Sequence, residues 1–440
     1  MAIVSPSADL VALLTFLICL IHRCGAGGYD AELYHPVILV PGFTCPNLEA
    51  RLTNAYAPSL PRCGELKGKG WFPLWKNTTD LVRQDYVPCF EEQMRLVYDP
   101  VLNDYRNFPG VETCVPDFGS AHGFTSKNDS GLDLETDDLC VEFVVIRSRI
   151  PTCLVRVREE LELLGYRDGE TLFGAPYDPR HAPPLPGQPS QVYSDYFARV
   201  KDLVERASEK NQNKPVILVA HSFGGKVILG FVNWTPMAWR KKFIKHLVLV
   251  SPTPPEGFLG VLTSLTSGPS FLVPSVPPLL LRQMWRTFAS TLLSLPSPMA
   301  FGHRPTVITN HKNYSAYDYK DLLPALGLNT EVVKRVLSMQ LRIDPPMVPT
   351  TYLNGVGVKT PEQVVYREGN FDVAPEKVYG DGDGTMNFFS VLAFVKELSR
   401  QQQANIPFKF VAIANATHSD IVVQEHSLKK VMDVILEANH

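Results

Sequence analysis

Apolar positions along the chain fall into short continuous runs separated by segments of helical period. Val37-Ile38-Leu39-Val40 is the first such run, and Pro41-Gly42 stops it in a tight turn, the pattern of a buried strand. Residues 140–146 read as a strand, 156–164 as a helix, and 171–174 as a strand that breaks into the loop Ala175-Pro176-Tyr177-Asp178-Pro179-Arg180. Tyr193, Tyr196, Phe197, Val200, Leu203, Val204 and Ala207 then recur at steps of three, four and seven, an amphipathic helix. It feeds the apolar run Val216-Ile217-Leu218-Val219, a helix-like segment from 226 to 232, and the run Leu247-Val248-Leu249-Val250. Strand alternating with helix predicts an α/β fold on a mostly parallel sheet.

The alternation stops at Pro252. From there to about 348 the chain is apolar and punctuated by proline, and Leu279, Leu280, Leu281, Met284, Trp285, Phe288, Leu292 and Leu293 are spaced for one apolar helix. Carried outside a sheet, such a helix is either a cap over a site or part of a second core. Strand patterns return at 351–353 and 408–413, and a helix at 428–436 closes the chain.

Composition narrows the class. The 440 residues are 45% hydrophobic, enough for a large core, and the net charge of -3 provides no global field to recruit nucleic acid. Residues 10–21 are an apolar run followed by Gly25-Ala26-Gly27-Gly28, so 1–26 reads as a signal peptide or signal anchor. Past that leader stand Cys45, Cys63, Cys89, Cys114, Cys140 and Cys153, an even number without CxxC spacing. They suggest disulfides in an oxidising compartment rather than a metal site. Sequons at Asn77, Asn128, Asn233, Asn313 and Asn415 fit the secretory pathway, although a proline follows the Asn233 sequon and makes it a poor acceptor.

The chemistry centres on Ala220-His221-Ser222-Phe223-Gly224, a small-X-Ser-X-Gly turn between a strand and a helix. A nucleophile elbow needs this context: small residues relieve the cramped turn, the serine hydroxyl stands above the sheet, and the next N–H faces a developing oxyanion. Ser222 is therefore the candidate nucleophile and the Phe223 N–H a candidate oxyanion donor. The Phe43 N–H is the second, since Pro41-Gly42 ends a strand at the edge where doubly wound sheets gather chemistry. His221 faces away from Ser222 on its strand and reads as structural. An acid and then a histidine should follow on later loops. Tyr379-Gly380-Asp381-Gly382-Asp383-Gly384-Thr385-Met386 offers the acid, and His418, just past the 408–413 strand, the base. Local chemistry does not separate Asp381 from Asp383. An EF-hand is excluded, because Met386 and Asn387 stand where acidic ligands belong. Between Cys63 and Cys89, Trp71-Phe72-Pro73-Leu74-Trp75 is flanked by Lys67, Lys69 and glycines. It is either an interfacial segment or aromatics packed inward.

These stretches together resemble the lecithin:cholesterol acyltransferase family, closest to its plant members. The likeness rests on 37–43 with Asn47-Leu48-Glu49-Ala50, on Gly174-Ala175-Pro176-Tyr177-Asp178-Pro179-Arg180, on 220–224, on 380–386 and on His418, spanning about residue 35 to the end. The resemblance implies an α/β-hydrolase fold with a disulfide-closed lid loop near 63–89 and a cap insertion near 255–345, within a catalytic domain of 27–440. It implies a triad of Ser222, Asp383 and His418, oxyanion N–H groups on Phe43 and Phe223, and a bridge between Cys63 and Cys89. Trp71, Phe72 and Trp75 would then contact lipid. The implied activity is acyl transfer from a glycerophospholipid through a serine ester to a lipid alcohol or water. It needs no metal or organic cofactor and works at a phospholipid membrane or lipoprotein-like surface. A lipase using water alone, and an inactive lipid-binding protein on the same fold, are the alternatives. The chain departs from the family at Thr253-Pro254-Pro255-Glu256-Gly257, where an Ala-Pro-Trp-Gly-Gly segment is usual near the acyl-binding region, and in having no cysteine after Cys153.

Overall fold

The computed structural model describes residues 34–75, 84–124, 153–270, 276–342 and 344–440. The leader, the 140–146 strand, Cys140, Asn77 and Asn128 lie outside them. Six strands form the central sheet: β1 (Val37–Val40), β2 (Leu172–Gly174), β3 (Val216–His221), β4 (Ile244–Val250), β5 (Thr350–Val356) and β6 (Phe408–Ala414). They lie in the order β6-β5-β4-β3-β1-β2, every neighbour parallel.

Both faces of this sheet are covered, which explains why its strands read as unbroken apolar runs rather than alternating ones. Successive side chains point to opposite faces. Ile38, Val40, Leu218, Ala220, Leu247, Leu249 and Tyr352 meet the helices α2 (Gln191–Lys210), α3 (Phe223–Trp234) and α4 (Phe388–Gln401). Val37, Leu39, Ile217, Val219, Val248, Val250 and Leu353 meet α1 (Val155–Leu163) and α5 (Glu425–Glu437). The residues spaced for an amphipathic helix between 193 and 207 are the ones α2 buries.

Two smaller layers sit beyond the sheet. Strands Leu48–Leu52, Phe72–Trp75 and Val111–Cys114 form an antiparallel sheet, in which the aromatic segment from Phe72 to Trp75 is an edge strand. Disulfides join Cys63 to Cys89 and Cys45 to Cys153. The second pairing was open from sequence. It ties the turn after β1 to the start of α1.

The other layer is a four-stranded sheet of Val307–Thr309, Asn313–Tyr314, Val358–Tyr366 and Glu376–Gly382. It draws strands from both sides of β5, so the inserted layer continues beyond 345 and ends where Asp383 begins. The single apolar helix expected across 279–293 is broken into Pro278–Leu281, Arg282–Trp285 and Ala289–Leu293. Leu281, Met284, Trp285 and Phe288 pack against the lid layer, whereas Ala289, Leu292 and Leu293 pack against the cap. One straight helix cannot line two cores that face different ways. Among the described residues no helix is long and apolar enough to cross a membrane.

Candidate active site

β3 runs into Ser222, whose φ of 57° and ψ of -128° is a conformation non-glycine residues rarely adopt. Backbone hydrogen bonds hold the turn there. The Ser222 N–H donates to Val250 O at 3.1 Å, and its carbonyl accepts from Thr253 and Gly225, each at 2.9 Å. Strain of this kind persists only where the surroundings over-determine it. Here the end of β4 and the start of α3 do so.

The hydroxyl is met from the far edge of the sheet. Ser222 Oγ donates to His418 Nε2 at 2.8 Å, and His418 Nδ1 donates to Asp383 Oδ2 at 2.9 Å. Asp383 is fully buried. Its other oxygen accepts the N–H groups of Thr385 (2.9 Å) and Met386 (2.7 Å), while its carbonyl accepts the His418 N–H at 2.7 Å. Asp381 is exposed and caps the Gly357 N–H at 2.7 Å. The structure therefore brings Ser222, Asp383 and His418 into one hydrogen-bonded chain and leaves Asp381 outside it.

The acid does not leave a strand of the central sheet directly. It leaves the antiparallel hairpin of 358–366 and 376–382. Gly355, at the end of β5, makes room for this arrival: a Cβ there would sit 1.9 Å from Ala416 O and 3.1 Å from Asp383 Cβ.

Across from this chain stands the turn after β1. A Cβ on Gly42 would lie 3.1 Å from Ser222 Cβ and 3.7 Å from its Oγ, so the 42–43 turn borders the hydroxyl. Among the described residues neither the Phe43 nor the Phe223 N–H donates to another group, and the two rings meet edge to face at 5.9 Å. Tyr177 holds the same turn, donating its hydroxyl to Pro41 O at 3.0 Å. Three residues on, the fully buried Arg180 binds Asp178 at 2.6 and 3.0 Å, and reaches Met94 O, Asn107 and Thr113. The 174–180 motif thus supports the turn on one side and the lid layer on the other.

The three lid aromatics separate. Trp71 is 44% exposed beneath the Arg51 guanidinium, at 5.0 Å from its ring, and Phe72 is half-buried. Trp75 is 3% exposed and packs edge to face on Phe43 at 6.1 Å, with Nε1 donating to Thr44 O. The expected lipid contact at Trp75 is therefore corrected. Leu74 and Trp75 are both buried where the register of the strand pair shifts, and the Trp75 ring lies against the turn that borders Ser222.

Two further features escaped sequence reasoning. His221, read as a structural residue, contacts His418 directly. Glu256, in the divergent 253–257 segment, is buried, and its Oε2 has no partner among the described residues. Burial pushes its carboxyl up to about 7, and it pushes the ammonium of Lys226, which donates to Leu293 O at 3.1 Å, down to about 7.

The lecithin:cholesterol acyltransferase family profile matches residues 71–345. Similarity to individual members runs nearly end to end. "Lecithin-cholesterol acyltransferase-like 1" of Oryza sativa subsp. japonica is 40% identical over 432 residues, covering 97% of this chain and 92% of that protein. The chain belongs to the lecithin:cholesterol acyltransferase family. Its Arabidopsis thaliana relative of the same name is 36% identical, covering 99% and 97% of the two chains. "Lysosomal phospholipase A and acyltransferase" of Rattus norvegicus is 30% identical, covering 92% of each. Within this family the α/β-hydrolase sheet described above carries Ser222 at the carboxyl end of β3, and the lid and cap layers are additions to that sheet.

Proposed function

We propose that the protein moves a fatty acyl group from a glycerophospholipid, through an ester on Ser222, to a lipid alcohol or to water. The observation that carries this reading is the run Ser222 Oγ, His418 Nε2, His418 Nδ1, Asp383 Oδ2, with both bonds under 3 Å beside the 42–43 turn. His418 takes the Ser222 proton as Oγ attacks the ester carbonyl, and Asp383 stabilises the imidazolium. The N–H groups of Phe43 and Phe223 bind the oxyanion, and His418 then returns the proton to the departing lysolipid oxygen. The acceptor hydroxyl next gives its proton to His418 and attacks the acyl ester. That releases the new ester, or free acid when the acceptor is water.

Membership of a family whose named relatives include phospholipase A and acyltransferase enzymes supports the substrate class. Exposed Trp71, with Lys67 and Lys69 nearby on the same lid, supports contact with a phospholipid surface. The two disulfides support folding in the secretory pathway.

The test is to give purified protein phospholipid vesicles containing a sterol or another lipid alcohol and to follow the acyl groups. Acyl ester in the lipid fraction is expected, and free fatty acid alone under every acceptor would reduce the reading to a lipase. An active-site phosphonate should label Ser222. Failure to label it, with no turnover, would leave a lipid-binding protein.

A further inference from the structure

One buried histidine has no part in that proton path. His221 directly precedes Ser222, yet its side chain reaches the other partner. Nε2 lies 2.9 Å from the backbone carbonyl of His418, and the two imidazole centroids are 5.1 Å apart. A carbonyl oxygen can only accept, so Nε2 carries the proton and Nδ1 is a bare acceptor. Nδ1 has no partner among the described residues, and a Cβ on Gly42 would come within 3.2 Å of it. The ring is 5% exposed. Burial, with the His418 ring beside it, holds its pKa down at about 3, so it stays neutral over the pH range in which an imidazole base works. The other charged group that influences it is Asp383.

This contact falls where His418 most needs support. β6 ends at Ala414, and His418 stands beyond it on a turn, so the sheet does not set the ring's position. Its main chain is held from two sides: the N–H by Asp383 O at 2.7 Å and the carbonyl by His221 Nε2. We propose that His221 is a positioning residue whose Nε2–H fixes the His418 main chain, and so places the imidazole between Asp383 and Ser222. Its neutrality serves the same end, because a second cation at 5.1 Å would oppose the imidazolium that forms when His418 takes the serine proton. The inference rests on the serine-ester reading above.

The test measures kcat and KM on a water-soluble ester across pH for wild type, His221→Gln, His221→Phe and His221→Met. Glutamine keeps an N–H near the Nε2 position, whereas phenylalanine and methionine fill the space without a donor. The donor-free variants should lose roughly 10- to 100-fold in kcat with KM little changed, the size expected when a reacting group is misplaced by less than 1 Å. Their acid limb in kcat/KM should move to lower pH, since a His418 loosened from Asp383 loses stabilisation of its charged form. His221→Gln should stay within about threefold of wild type with an unmoved limb, as a preserved hydrogen bond predicts. The proposal is overturned if the donor-free variants keep kcat and the limb, or if His221→Gln falls as far as they do. His221→Met carries the test should the phenyl ring prevent folding, which a thermal melt reveals. Ser222→Ala, run alongside, separates the two readings. Retained turnover there removes the serine-ester reading itself, while a dead Ser222→Ala with indifferent His221 variants removes only the positioning role.

Discussion

The elbow at the end of β3 and the lid strand Phe72–Trp75 both deliver an aromatic ring to Phe43, and they are held there by different physics. Phe223 arrives from the elbow at 5.9 Å and Trp75 from the lid at 6.1 Å. The elbow sits inside a six-stranded parallel sheet, fixed by backbone bonds to the end of β4 and covered by helices on both faces. The lid strand is an edge strand of three, tethered through the Cys63–Cys89 region and anchored by the buried Leu74 and Trp75. Trp71, just before the strand, is exposed. One region is over-determined, as a strained backbone at Ser222 requires. The other has a fixed inner side and an exposed outer side.

The hardest way to break this comparison is at the elbow. Ser222→Ala should abolish ester turnover by on the order of 10⁴–10⁶ while the melting temperature stays near wild type. Asp383→Asn should cost roughly 10⁴ and Asp381→Asn almost nothing, because only the first carboxylate touches His418. Steady-state kinetics on a soluble ester measures all three, and the reverse order for the aspartates would contradict the geometry of the acid.

Trp75→Ala tests the inner side of the lid. Removing a buried ring costs about 3–5 kcal/mol in a core, so denaturant unfolding should show a loss of that size. Because the ring packs on Phe43, turnover of the soluble ester should fall together with lipid turnover. Unimpaired soluble-ester hydrolysis would mean that the 42–43 turn does not depend on the lid.

Trp71→Ala tests the outer side. An interfacial aromatic contributes about 2–3 kcal/mol, or roughly 30- to 150-fold in vesicle binding. Vesicle co-sedimentation should weaken accordingly, with stability and soluble-ester kinetics unchanged. A parallel loss on both substrates would place Trp71 with Trp75 rather than opposite it.

The smallest effect is expected beneath the elbow. The buried Glu256 carboxyl titrates at about 7 in the folded protein against an ordinary value of 4.5. The native state therefore binds the extra proton between those values, and stability falls as pH rises through that window. Glu256→Gln removes the fall. Its unfolding free energy should pull ahead of wild type progressively from pH 5 to 7, by on the order of 1 kcal/mol per pH unit at most, and by a constant margin above. A pH-independent difference would mean that Glu256 is not protonated in the native state.

Much of this architecture could be read from local pattern. Unbroken apolar runs mark strands buried on both faces, and the 193–207 periodicity marks the side of α2 that is buried. The small-X-Ser-X-Gly turn announces its own conformation, since the strand before it and the helix after it are visible in the same few residues. The order serine, acid, histidine also survives folding. Each of these depends on neighbours within one or two turns of the chain.

What local pattern could not decide was which distant groups would meet. Asp381 and Asp383 have the same chemistry and nearly the same neighbours, and only the exit of the 376–382 strand past Gly355 brings one of them to His418. Trp71 and Trp75 look alike until the strand is paired, at which point one faces Phe43 and the other water. The apolar residues from 279 to 293 fit one helix until two separate cores claim its two halves. The contact of His221 with the His418 carbonyl joins residues 197 apart in sequence, where no periodicity can reach. The amino-acid sequence by itself determined the strands of the central sheet, the buried face of α2 and the elbow at Ser222. The tertiary structure chose among chemically equivalent candidates, because that choice depends on close packing between segments that share no local pattern.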